Sequence, residues 1–267
     1  MVKIIFFQPH PDDLEINCGH LIHYLATKSK KNHIIKIASI TKGEYGLPGA
    51  QYDKFKGDFL AKVRTRELYN AQSIHGIPPE NIHFFGYVDG LVEFTKGFVN
   101  KIAEYLKIEK PSVIFAPEAI YTSYYHKDHV NTGKAIYYCI HKKLIDFPLK
   151  LYFYSTISPN FYFGFKKEDF LLIDQLLACH KTQFWLINNL KITYKPKTRL
   201  AGRKLRGWKY AEKYRRVYFH RENANKNKPS LIVKMLSHWY SGMPWFKAKY
   251  PLDVLEELKK KRKNLNK

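Results

Sequence analysis

Cysteine is nearly absent from this chain: Cys18, Cys139 and Cys179 are the only three in 267 residues, and none forms a CxxC pair. That excludes a disulfide framework and makes a reducing, cytoplasmic setting the expectation. Long hydrophobic runs are missing too, since no uninterrupted apolar stretch approaches the ~18–20 residues that a membrane span needs. The opening residues, Val2-Lys3-Ile4-Ile5-Phe6-Phe7, lack the apolar length and small-residue cleavage site of a signal peptide. Acidic residues are scarce, 23 Asp/Glu against 46 Lys/Arg, for a formal charge of +23. Hydrophobic residues at 45% and aromatics at 16% nevertheless exclude a disordered chain.

The charge is uneven. Residues 191–267 hold 23 Lys/Arg and 5 Asp/Glu, a surplus of 18, whereas residues 1–190 hold 23 and 18, a surplus of 5. The expected organisation is an α/β core over 1–190, a basic segment at 191–220 completing it, and a basic, aromatic-rich extension at 221–267. Such an extension attracts something anionic: nucleic acid, a charged membrane surface or a phosphate-bearing substrate.

The first half alternates strand and helix patterns. Residues 2–7 and 34–40 are short apolar runs, as buried strands would be. Between them Leu14, Cys18, Leu21, Ile22 and Leu25 recur at helical intervals. Further strands are expected at 82–85, 112–116 and 151–155, and helices near 59–75, 96–107, 130–143 and 168–186. This repetition predicts an α/β, Rossmann-like parallel sheet with helices on both faces. Beyond residue 190 the pattern weakens into mixed basic and aromatic residues, a polar linker at 221–229 and a charged helix near 251–263.

Ligands of open α/β sheets bind outside the carboxyl ends of the strands. Two polar clusters fall there: His10-Pro11-Asp12-Asp13 after the first strand and His126-Lys127-Asp128-His129 beyond the fourth. Imidazole and carboxylate together suit a catalytic zinc with one open position. His10 and Asp13, three apart across a turn, can both point at one ion, with Asp12 beside it. Of His126 and His129, one can sit on the metal and the other next to it. An Asp at a helix start is also an ordinary N-cap.

Pro9-His10-Pro11-Asp12-Asp13 with Cys18-Gly19 resembles the signature of the PIG-L/LmbE-like family of metal-dependent de-N-acetylases. The resemblance continues through Thr41–Gly46, Arg64-Thr65-Arg66-Glu67, Gly86–Gly90, His126–His129, His180-Lys181-Thr182-Gln183 and Tyr210-Ala211-Glu212, in the family's order. It implies zinc-dependent hydrolysis of an N-acetyl group on an N-acetylglucosamine-type conjugate, giving acetate and an amine, with Fe2+ as an alternative metal. It further implies that His10, Asp13 and His129 bind the metal and that Asp12 is the general base. His126 would stabilise the oxyanion, through its charge if protonated, and would be oriented by Asp128. Arg64 and Asp89 would contact the sugar, and Tyr124 would flank the reacting carbonyl. The sequence departs from the family at Leu14, where Glu is frequent, and at Asn17 and His20, where glycine is usual.

The basic third has three readings. Residues 230–250, with Trp239, Tyr240, Trp245 and Phe246, can form an interfacial element on an anionic membrane, suiting a lipid-linked substrate. Basic residues near 199–216 can instead guide a phosphate-bearing sugar conjugate. The alternative from another class is a non-catalytic anionic-surface or nucleic-acid binding protein with a vestigial metal site. No nucleic-acid module is recognisable, and the paired clusters argue against that reading.

Overall fold

The computed structural model describes residues 1–29, 33–47, 49–124, 126–219, 229–241 and 263–264. Its strands are β1 (Val2–Gln8), β2 (His33–Thr41), β3 (Ile82–Tyr87), β4 (Val113–Pro117), β5 (Lys150–Tyr154), β6 (Phe161–Phe165) and β7 (Tyr210–Val217). They form one seven-stranded sheet in the order β3-β2-β1-β4-β5-β7-β6. The first five are parallel, and β7 runs antiparallel to both β5 and β6.

The α-helices are α1 (Glu15–His23), α2 (Asp58–Ile74), α3 (Lys96–Glu109), α4 (Lys127–His141), α5 (Phe170–Cys179), α6 (Phe184–Gly202) and α7 (Leu231–Ser241). A π-helical turn, Tyr24–Lys28, continues α1. Because side chains alternate across a strand, β1 serves two cores at once. Ile5 and Phe7 pack with Phe98, Ile102, Ile136 and Cys139 of α3 and α4. Ile4 and Phe6 pack on the opposite face with Cys18 and Ile22 of α1 and Leu68 of α2. Burial on both faces is why β1 reads as an unbroken apolar run.

From β1 the chain moves outward to β2 and β3, then returns through α3 to place β4 on the other side of β1. The reversal opens a crevice at the carboxyl ends of β1 and β4, where open α/β sheets bind ligands. Both polar clusters of the sequence lie there.

Three departures from the sequence pattern matter. Helix α4 starts at Lys127, three residues earlier than the apolar periodicity predicts, because His126 caps it: its Nδ1 accepts from the Asp128 N–H at 3.2 Å. Position 190/191 lies inside α6, whose hydrogen-bonded turns continue past the internal Pro196. Strand β7 inserts between β5 and β6, so residues 210–217 are part of the sheet. It escapes hydropathy because it buries charge. Glu212 accepts from the His20 and Leu21 N–H groups at 2.9 and 3.0 Å, and Arg215 makes two bonds to Glu118 at 2.7 and 2.6 Å.

Among the described residues no helix is long and apolar enough to cross a membrane. The side chains of Trp239 and Tyr240, together with Trp245 and Phe246, lie outside the described residues, as do most of 221–229 and 251–263.

Candidate metal centre and active site

The tight turn after β1 is set by the His10 carbonyl, which accepts from the Asp12 and Asp13 N–H groups at 2.9 and 3.3 Å. Asp13 closes it from the other side, its Oδ2 accepting from the His10 N–H at 2.8 Å. Asn17 braces the turn: its Nδ2 donates to the Asp13 carbonyl at 2.7 Å while its Oδ1 accepts from the Ser155 hydroxyl at 2.8 Å. The residue that departs from the family's glycine therefore has a defined structural task here.

The two clusters converge. His129, in the first turn of α4, places Nε2 3.2 Å from Asp13 Oδ1, and the His10 and His126 rings lie 4.8 Å apart, edge to face. Tyr124 packs edge-on against His129 at 4.9 Å between ring centres. Two overlapping groups have ligand atoms within 4.8 Å of one another: His10, Asp13 and His129, and His10, His126 and Asp128. The second is largely spoken for. Asp128 Oδ2 accepts from the Gly90 N–H at 2.6 Å, its Oδ1 accepts from the Val92 N–H at 3.2 Å, and His126 Nδ1 faces its own helix cap.

The first group fits a divalent ion by its own chemistry. His129 is only 2% exposed, its Nε2 faces only the Asp13 carboxylate, and its Nδ1 has no hydrogen-bond partner among the described residues. A cation between the two imidazoles and the carboxylate would satisfy lone pairs that this buried cluster otherwise turns on itself. Two imidazoles and a carboxylate match the donor set of catalytic zinc and of ferrous iron.

Arg64 of α2 is buried, and its guanidinium bonds to Asp12 Oδ1 at 2.8 Å and to the Gly43 carbonyl at 2.9 Å. It faces the neighbour of the metal group and not Glu67, which instead accepts from the N–H and hydroxyl of Thr182. A Cβ at either Gly43 or Gly46 would collide with that guanidinium. The glycines of Gly43-Glu44-Tyr45-Gly46 thus allow the loop to wrap Arg64. Asp89 is likewise buried: its Oδ1 lies 3.1 Å from His10 Nε2 and its Oδ2 accepts from the Tyr45 N–H at 3.0 Å.

Electrostatics follow the crowding of acids around His10. Burial opposes protonation of His10, but Asp89, Asp128 and Asp13 together raise it well above its ordinary value. Burial would raise Asp13, but His129 and His10 hold its carboxyl well below the usual range. Burial, reinforced by His10, lowers His126 to about 4. That direction favours the neutral ring near pH 7. Its Nδ1 accepts from the Asp128 N–H, so Nε2 carries the proton and is the available donor. Asp128 orients His126 through this main-chain N–H, while its carboxylate faces His10.

A family model described as PIG-L, GlcNAc-PI de-N-acetylase, matches residues 5–140. The chain belongs to the PIG-L family. Diacetylchitobiose deacetylase of Thermococcus kodakarensis is 26% identical over 131 residues, 49% of this chain and 46% of that protein. The match therefore spans about half the length of that curated relative. Among solved structures, N,N'-diacetylchitobiose deacetylase from Pyrococcus horikoshii aligns with a TM-score of 0.69 at 20% identity, covering 80% of this chain and 83% of that one. GalB, the 4-carboxy-2-hydroxymuconate hydratase of Pseudomonas putida, aligns with a TM-score of 0.64 at 17% identity, covering 82% and 97%. These structural likenesses show the shared fold, and the hydratase among them means that chemistry has to be argued from the site.

Within this PIG-L chain, the sequence-predicted residues His10, Asp12, Asp13, Arg64, Asp89, Tyr124, His126, Asp128 and His129 are linked by the contacts above into one network. Glu44, whose Oε1 accepts from the Asp89 N–H at 3.2 Å, and Asn17 were not anticipated as parts of it. For Asn17 the signal was its departure from the family's glycine. For Glu44 it was a carboxylate just past a strand end.

Proposed function

We propose that this chain hydrolyses the N-acetyl group of an N-acetylglucosamine-type sugar conjugate, using a divalent ion held by His10, Asp13 and His129. The observation that carries the proposal is the convergence of His10, Asp13 and His129, both imidazoles buried, with ligand atoms within 4.8 Å of one another and Asp12 adjacent. Zinc is the expected ion, with Fe2+ the alternative. When bound there it supplies a Lewis acid and makes a coordinated water acidic near pH 7.

Asp12, steered by Arg64, takes a proton from the attacking water. His126 donates from Nε2 to the carbonyl oxygen as charge develops on it, which typically contributes a large share of catalysis. Asp12 then passes its proton to the departing amine, so that the C–N bond breaks without releasing an amide anion. The products are acetate and a free amino sugar. Tyr124, packed on His129, stands beside the reacting carbonyl in this scheme.

The surplus of 18 positive charges in residues 191–267 supports an anionic conjugate, phosphate- or lipid-linked, as the substrate. Metal-loaded protein should release acetate from a panel of N-acetylglucosamine, its β-1,4-linked disaccharide, and nucleotide-linked and lipid-linked conjugates. Absence of acetate from every member would reject the reading.

A second proposal concerns location. On α7, Leu231, Ile232 and Met235 are 73%, 69% and 65% exposed beside Lys234, within the most basic part of the chain. An apolar face flanked by basic residues suits the surface of an anionic bilayer. The full chain should co-sediment with vesicles containing phosphatidylserine and not with phosphatidylcholine alone. Equal recovery with both, or with neither, counts against it.

A further inference from the structure

We infer that Asp128 and Asp89 are positioning residues for His10, fixing its ring so that Nδ1 and not Nε2 is the nitrogen offered to the metal. The inference rests on the metal site proposed above and adds a role that the family resemblance did not assign.

The geometry runs through Nε2. It lies 3.1 Å from Asp89 Oδ1 and 3.2 Å from Asp128 Oδ2, whereas Nδ1 lies 3.4 Å from Asp13 Oδ2. Both carboxylates are almost fully buried, and each is pinned by main-chain donors. Asp89 accepts from the Tyr45 N–H at 3.0 Å, and Asp128 accepts from Gly90 at 2.6 Å and Val92 at 3.2 Å. Neither can swing away without stranding a buried N–H group.

As a metal ligand the His10 ring has to give up one proton and keep one N–H and one lone pair. With two fixed acceptors at Nε2, the proton belongs there, and the lone pair is at Nδ1 on the side of Asp13. Metal-binding histidines commonly give their second N–H to a carboxylate, which sets the tautomer and makes the ligand nitrogen more basic. The loop 43–46 and the turn at 89–92 are then parts of the metal site at one remove, because they hold the two carboxylates that hold His10.

The resemblance assigned Asp128 to His126. The carboxylate makes no hydrogen bond to that ring; the link is the Asp128 main-chain N–H, which any residue at 128 except proline retains. Asp128→Asn therefore separates the two roles. If the carboxylate serves His10, the variant loses metal affinity. If its task is on His126, the variant binds metal as the wild type does and loses only turnover.

Zinc affinity of the full chain, read by competition with a chromophoric chelator, is the first test. Asp128→Asn and Asp89→Asn should each bind ~10–100-fold more weakly, the usual effect of losing a carboxylate behind a ligand histidine. His126→Ala should bind like the wild type. The second test needs no change at either aspartate. In 15N-histidine spectra of the zinc-loaded wild type, the signals lost in His10→Gln should report a protonated Nε2 and a metal-bound Nδ1. The opposite tautomer overturns the inference. If His129→Ala abolishes zinc binding while both aspartate variants bind normally, the metal site stands and the positioning role falls. If His129→Ala also binds normally, the proposed metal site itself is wrong, and this inference goes with it.

Discussion

Removing the Arg215 guanidinium tests how the loop bearing Tyr124 and His126 is held. That loop leaves β4 at Glu118, a buried residue whose carboxylate accepts from Arg215 Nε at 2.7 Å and Nη2 at 2.6 Å. Glu118 Oε1 also accepts from the Ile120 N–H at 2.9 Å. The guanidinium lies 5.0 Å from the ring centres of Tyr121 and Phe153. A strand near the end of the domain thus anchors the first residues of the active-site loop. Arg215→Met keeps much of the side-chain volume but leaves the Glu118 carboxylate buried with one main-chain donor. Stranding one partner of such a pair costs about 3–5 kcal/mol. For a chain of this length each kcal/mol shifts the midpoint by ~2–4 °C, so thermal unfolding should move down by ~6–20 °C. The double variant Glu118→Leu/Arg215→Met should recover most of the loss, because the pair is replaced by apolar contact. It should still lose about 1 kcal/mol for the stranded Ile120 N–H. Urea unfolding of the wild type, both single variants and the double variant closes the cycle. A loss below ~1 kcal/mol for Arg215→Met, the value of an exposed pair, would refute the buried anchor.

Three further outcomes follow from the same structure. Burial lowers both His20 and His75 to about 3, so the unfolded chain binds more protons than the folded one between about pH 3 and the ordinary histidine value near 6.5. Stability contributed by these neutral rings is complete above that upper value and is lost as pH falls through the window, by up to ~1.4 kcal/mol per pH unit for each histidine. His75→Phe, at a site where neither ring nitrogen has a partner among the described residues, should show a shallower acid loss than the wild type in urea titrations at pH 4–7; an unchanged slope contradicts the assignment. Gly43 has φ of 66° and its missing Cβ faces the Arg64 guanidinium, so Gly43→Ala should lower the turnover of zinc-loaded protein by misplacing Asp12. Wild-type kinetics in that variant would show that Arg64 does not steer Asp12. His129→Ala should lose zinc by elemental analysis, and full occupancy would exclude it as a ligand.

What could be read ahead of the structure depended on how local its cause was. Strand β1 was plain because burial on both faces demands an unbroken apolar run. The clusters at 10–13 and 126–129 were plain because each follows a strand, and open sheets bind ligands at strand ends. Strand β7 was not, since Glu212 and Arg215 need groups far away in sequence, the His20 and Leu21 amides and Glu118, beside the local Tyr214 hydroxyl. Arg64 and Asp89 were anticipated as sugar contacts. Both also face inward, Arg64 onto Asp12 and Asp89 onto His10, and no local pattern reveals those partners. The downward shift of His126 was equally out of reach, because it comes from burial and from the neighbouring His10.

The central claim is that Asp12 is the base beside a metal held by His10, Asp13 and His129. Acetate release by zinc-loaded wild type and Asp12→Asn, each with its zinc content measured on the same sample, tests this most directly. The account predicts equal zinc in both proteins and turnover ~10²–10⁴-fold lower in the variant, the span expected for losing a general base. Equal turnover at equal zinc content would contradict it.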